Sequence, residues 1–326
     1  MKRAALNGTW LLLACLALAF LGVTRGTLPI SSAQLWQVIN GEAARNIQLI
    51  VLEWRLPRVM MALLIGAALG VSGAIFQSLL RNPLGSPDIL GFNTGAYSGV
   101  LVALVLFQQN MEGMTLAALT GGLLTAGVVW LFSWRNGVDT FRLIMVGISV
   151  RALLMALNSW LIISASLEAA LSAGLWSAGS LNGISWAKTT PVISVLLLAL
   201  LATSLLARRM RLLEMGDDTA CALGVPVERS RILLMLVGVI LTAASTALVG
   251  PISFIALLAP QIARRLCGGI KGALPLAALC GALLLTAADY AAQHFFLPYQ
   301  LPVGVITVSL GGLYLIALLV REARRQ

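Results

Sequence analysis

Titratable chemistry is scarce in this chain. There is one histidine, His294, and only 12 of 326 residues are Asp or Glu. His294 has no second metal ligand in view, and the apolar stretches carry Asp289 but no cluster of carboxylates. That argues against a membrane metalloenzyme, and against a typical proton- or sodium-coupled carrier, which needs titratable or ion-coordinating groups at mid-membrane. The phosphate-cradling pattern G-x-x-x-x-G-K-[ST] is absent, because none of Lys2, Lys188 and Lys271 follows a glycine in that frame. Any ATP used must therefore be bound by another chain, and no cofactor is expected in this one. Cys15, Cys221, Cys267 and Cys280 show neither close pairing nor metal-ligand spacing and read as small apolar fillers. No basic face is interleaved with aromatics, so nucleic acid is an unneeded partner.

What is present is apolar length. With 59% hydrophobic and 10% charged residues, the chain reads as an all-α, polytopic membrane protein forming one transmembrane domain over residues 1–326. A spanning helix takes roughly 20 mostly apolar residues, and ten such windows are expected. They run from about Trp10 to Val23, Val59 to Leu80, Phe92 to Phe107, Met114 to Ser133 and Phe141 to Ser164, then Thr190 to Ala207, Ile232 to Val249, Ile252 to Ile262, Ala273 to Phe296 and Val303 to Val320. The first, third and eighth are short. Lys2 and Arg3 before an apolar run mimic a secretory signal, but the run is read as an uncleaved first helix. With the N-terminus inside, the connections divide the basic residues sixteen inside to five outside, with Arg151 left in the membrane. This predicts both termini in the cytoplasm.

The longest polar island is Arg208 to Arg231, RRMRLLEMGDDTACALGVPVERSR. It predicts two very short helices, the first capped by Asp217 or Asp218 and ended by Gly224 in a left-handed turn, the second opened by Pro226. Helices that short need a packing partner. The alternative is an ordinary solvated cytoplasmic loop. On the outer side, Gly26 to Trp54 is long and holds Leu35, Val38 and Ile39 at amphipathic spacing. Beyond it, Arg55 and Arg58 offer either lipid-headgroup contacts or a positive ledge for the carboxylates of a soluble partner.

Gly66, Gly70 and Gly73 give the second span a close-approach face, which places it inside the bundle. Asn82-Pro83-Leu84-Gly85-Ser86-Pro87-Asp88 cannot be helical throughout. Non-helical backbone at a membrane edge is tolerated only against protein or a water-filled cavity. A second broken segment, Gly250 to Gln261, follows the seventh span, and the matched placement points to an inverted repeat. Ser166 to Trp186 reads as a short outer helix ending in turns. Arg151 lies nine residues beyond Arg142, about 13 Å deep at 1.5 Å per residue. With Asn158 on the same face it reads as pathway lining; the alternative is a structural arginine bonded to backbone carbonyls or to Asp289.

The stretches RLPRVMMALLIGAALGVSGAIFQSLLRNPLGSPDILG, MGDDTACALGVPVERSR, GPISFIALLAPQIAR and LPVGVITVSLGG resemble the permease family of bacterial ABC importers for iron-siderophores, haem and vitamin B12. The resemblance runs from about Glu53 to Val320. EWRLPR, RNPLGSPD, SAGSLNG and PYQLPVGV are most similar to the branch that carries ferric enterobactin. It implies a ten-helix inner-membrane subunit paired with a second, different permease subunit, two cytoplasmic ATPases that bind ATP and magnesium, and a periplasmic siderophore-binding protein. By motif, Glu214, Gly216, Asp217, Ala220, Leu223, Gly224, Pro226 and Arg229 fall in the ATPase-coupling loop. Asn82 and Leu84 fall in one cytoplasmic gate, Asp139 and Thr140 in the other. Arg55 and Arg58 match arginines that receive the binding protein. The chain departs from the vitamin B12 pattern at Gln293, where that relative has an arginine, and at Leu313, where a proline is common. A secondary transporter and a structural membrane subunit remain the alternative readings.

Overall fold

The computed structural model describes residues 2–26, 28–107, 111–134, 140–268 and 273–323. Fourteen α-helices and one π-helical segment follow in order: α1 Lys2–Thr24, α2 Ser32–Asn40, α3 Arg45–Gln48, the π segment Leu49–Arg55, α4 Leu56–Leu79, α5 Phe92–Val105, α6 Met111–Ser133, α7 Thr140–Ser164, α8 Leu167–Ser177, α9 Trp186–Leu213, α10 Asp217–Ala222, α11 Val227–Val249, α12 Ile255–Cys267, α13 Ala273–His294 and α14 Val303–Ala323. Each of the ten apolar windows lies on one of these helices. Among the described residues seven helical stretches are long and apolar enough to cross a membrane, while α5 and the apolar part of α14 are shorter. The first window was expected to be short, but α1 continues through the preceding polar residues to 23 residues.

The long helix α4 is the centre. It packs on α13, α12, α11 and α9, and its glycines explain the closeness. A Cβ at Gly66 would fall 2.4 Å from the Gly281 carbonyl oxygen, at Gly70 2.2 Å from that of Ala277, and at Gly73 1.7 Å from that of Ala256. Helix backbones this near gain dispersion contacts that larger side chains would forbid. Ser72 adds polar glue, its hydroxyl donating to the Gly238 carbonyl at 2.8 Å and meeting the Thr242 hydroxyl at 2.8 Å.

Packing repeats across the two halves. α4 lies on α13 as α11 lies on α6, α5 on α6 as α12 on α13, and α6 on α7 as α13 on α14. α4 and α11 run in opposite directions, because Arg81 past the end of α4 and Arg231 at the start of α11 meet the same carboxylate, that of Asp217. These matched contacts and opposed directions fit the inverted repeat expected from the paired broken segments.

The outer pieces are capped as their sequences dictate. Ser31 and Gln34 form a reciprocal capping box at α2, and Gly41 closes it in the left-handed region at φ 77°. Val38 is buried, but Ile39 is exposed. Ser166 caps α8 through the Ala169 N–H.

Candidate coupling and gating site

The polar island folds differently from its sequence reading at two points. The second predicted short helix is the first turn of α11, and Pro226 precedes it as N-cap residue. Asp217 and Asp218 do not cap α10. Gly216 takes the N-cap position at φ 111°, leaving the Asp217 carboxylate to receive both Arg81 and Arg231, the latter at 2.8 and 2.9 Å. The end of α10 is as expected: Gly224 sits at φ 79°, with its N–H on the Cys221 carbonyl at 2.9 Å and the Val225 N–H on that of Ala220 at 3.0 Å, a Schellman closure.

This arrangement sorts the expected coupling residues. Ala220 is fully buried and anchors α10, whereas Leu223, Gly224, Pro226 and Arg229 face outward. Glu214 receives Arg264 of α12 at 3.2 Å. The island is thereby bonded to three elements: α4 through Arg81, α11 through Arg231 and α12 through Arg264.

The gate segments converge on the end of α4. Asn82 turns the chain there, its side-chain oxygen accepting the Leu84 N–H at 2.9 Å, which holds Leu84 half exposed. The Gln261 amide of α12 donates to the Pro83 carbonyl at 2.9 Å. Thr140 opens α7 and its hydroxyl reaches the Leu79 carbonyl at 3.4 Å, so it stands beside the same turn. Asp139 lies outside the described residues.

Deeper in the bundle the two broken segments meet. Asp88 accepts the Phe254 N–H and the Asn93 amide, and Asn93 in turn accepts the Thr246 hydroxyl at 2.8 Å. Arg151 is exposed on the surface of the chain with its charge near Asp88. Its backbone lies against Gly91, where a Cβ would fall 3.1 Å from that of Arg151. Asn158 is buried and its side-chain oxygen has no partner among the described residues. The expected alternative bond from Arg151 to Asp289 does not form, because Asp289 is taken at the opposite end of the bundle.

There Arg58 forks onto Asp289, Nε to Oδ2 at 3.0 Å and Nη2 to Oδ1 at 2.8 Å, while Nη1 donates to Asn182 at 2.6 Å. Gln293 donates to the same carboxylate at 2.7 Å. Arg55 donates to the Val23 and Leu28 carbonyls at 2.8 and 2.7 Å. Both guanidiniums thus tie the outer connections to the bundle, a role the sequence reading missed; the lone buried carboxylate in an apolar helix was the available signal for an arginine partner.

Comparison with known proteins places this geometry. The profile of the FecCD transport family matches residues 11–321. The ferric enterobactin transport system permease protein FepG of Escherichia coli is 62% identical over 325 residues, covering 100% of this chain and 98% of that one. The achromobactin transport system permease protein CbrC of Dickeya dadantii is 37% identical, covering 96% and 90%. A solved chain of a metal-chelate type ABC transporter in an inward-facing conformation matches with TM-score 0.87 at 28% identity, covering 97% of this chain and 99% of that one.

Proposed function

The chain belongs to the FecCD transport family, and from that premise we propose that it is one of two different permease subunits of an ATP-driven importer carrying ferric enterobactin or a similar ferric catecholate from periplasm to cytoplasm. It sits in a bacterial inner membrane with both termini in the cytoplasm, two ATPase subunits bind ATP and magnesium against its polar island, and a periplasmic binding protein delivers the cargo. The observation that carries this reading is the bonding of the island. A displacement of the island acts through Asp217 on Arg81 and through Glu214 on Arg264, and Arg81 adjoins the Asn82 to Leu84 turn while α12 holds that turn through Gln261. Motion at the ATPase thereby reaches a gate within a few bonds, and no covalent chemistry is assigned to this chain.

Arg151 tests the pathway. An arginine facing lipid at mid-membrane costs about 2.5–3.5 kcal/mol on insertion scales, so its exposure favours a water-filled cavity shared with the second permease subunit. There it meets the negative charge of the ferric catecholate. Arg151→Leu is expected to lose most uptake with assembly intact, and Arg151→Lys, which keeps charge without the planar fork, to retain part. Normal uptake in Arg151→Leu, or failure through lost assembly alone, makes the residue structural.

At the outer end, charge reversal at Arg58 would set two carboxylates together, so docking is better read in a paired neutralisation. Removing one partner of a buried pair costs about 3–5 kcal/mol, whereas replacing both is close to neutral. Arg58→Gln with Asp289→Asn is therefore expected to melt near the wild-type temperature while Arg58→Gln alone melts lower. If Arg58 also receives the binding protein, the paired variant binds it more weakly at low salt. Unchanged affinity restricts the cluster to holding the fold.

A further inference from the structure

At the end of the bundle that carries the polar island lies a cavity of about 740 Å³ between α4, α9, α12 and α13. Its rim holds Arg81, Arg211 and Arg264; Arg81 is paired with Asp217 and Arg264 with Glu214, so among the described residues Arg211 is the rim arginine with no carboxylate partner. Its walls are apolar: Ala74 of α4, Ala207 of α9 and Leu274 of α13. α9 and α13 both pack on α4 but make little contact with each other among the described residues. One turn below Arg81, Gln77 is 1% exposed and its amide N–H donates to the Leu257 carbonyl at 3.0 Å.

We propose that this cavity binds an anionic phospholipid. The phosphate sits beside Arg211 at the rim, and the acyl chains lie along the apolar walls between α9 and α13. Basic pockets between spanning helices recognise anionic headgroups in this way. A soluble anion would satisfy Arg211 but leave the apolar walls unfilled. The site stands apart from the transport pathway, since Arg151 is not among its walls, and its test does not depend on which cargo is carried.

The purified importer complex in detergent, titrated with dioleoylphosphatidylglycerol or dioleoylphosphatidylcholine and read by native mass spectrometry, decides the matter. The glycerol lipid is expected to be retained in preference to the choline lipid. Because each arginine near a lipid surface is worth roughly fivefold in binding, Arg211→Gln should lower retention of the glycerol lipid about fivefold, leave the choline lipid unchanged, and be rescued by Arg211→Lys. Among the described residues Arg211 makes no hydrogen bond or ion pair, so the variant is expected to fold. Arg208→Gln, one turn earlier on α9 and off the cavity wall, should change nothing. Filling the wall with Ala207→Phe should reduce both lipids. Equal retention of the two lipids, indifference to Arg211→Gln, or an equal effect of Arg208→Gln would overturn the assignment. Displacement of the lipid by glycerol phosphate at comparable concentration would show a site for a free anion instead.

Discussion

Gly224→Val is expected to abolish uptake while the chain still inserts and accumulates. The position holds φ 79°, and a Cβ there would meet none of the described residues within 4 Å. Space is therefore available, and the intramolecular cost is the left-handed backbone, about 1–2 kcal/mol for a residue with a Cβ. That is too little to unfold a bundle of this size but enough to shift the turn that joins α10 to α11. The added isopropyl group also projects outward between Leu223 and Pro226, where the ATPase is proposed to dock. Gly224→Asn, a residue that visits the left-handed region readily, should keep more activity than valine. The measurement is siderophore uptake together with transport-linked stimulation of ATP hydrolysis. Normal coupling in the valine variant would remove the island from the coupling path.

Gly73→Val should act at the other extreme and leave no folded chain to assay. Its Cβ would lie 1.7 Å from the Ala256 carbonyl oxygen, with the Ala256 Cα at 2.9 Å, whereas an ordinary contact needs roughly 3.5 Å. Both obstructing atoms are backbone, so α4 and α12 must part along the line where α4 also holds the Leu257 carbonyl through Gln77. Close-packed interiors do not absorb such a shift locally. Gly127→Val on α6, where a Cβ meets nothing within 4 Å, is the matched control and should accumulate normally. Equal membrane levels of the two variants would contradict the packing described for α4.

The parts of this fold that were legible are those set by local chemistry. Apolar length marked the spans, the Gly66, Gly70 and Gly73 spacing marked the buried face of α4, and Gly224 marked a left-handed helix end because few other residues adopt it. The parts that were not legible depend on which distant segments meet. Asp217 looked like a cap because capping is a local competition, but Arg81, 136 residues away in sequence, and Arg231 outbid the helix N-terminus for its carboxylate. Asp289 was offered to Arg151, yet helix register brings it to Arg58 at the far end. Phe254 at φ 70° and Arg81 at φ 47° carry no sequence mark at all, since their left-handed backbone is imposed by the segments packed around them. Arg55 and Arg58 were read by side and charge, and their internal partners, two backbone carbonyls and a carboxylate from α13, became visible only with the fold.

The most direct test of the central claim is uptake of radioiron-labelled ferric enterobactin by cells that lack only this gene. Uptake is expected to be lost in the deletion, to return when the chain is supplied from a plasmid, and to collapse when ATP is depleted while the membrane potential is maintained. Uptake unaffected by the deletion, or restored uptake that survives ATP depletion on the potential alone, would contradict that claim.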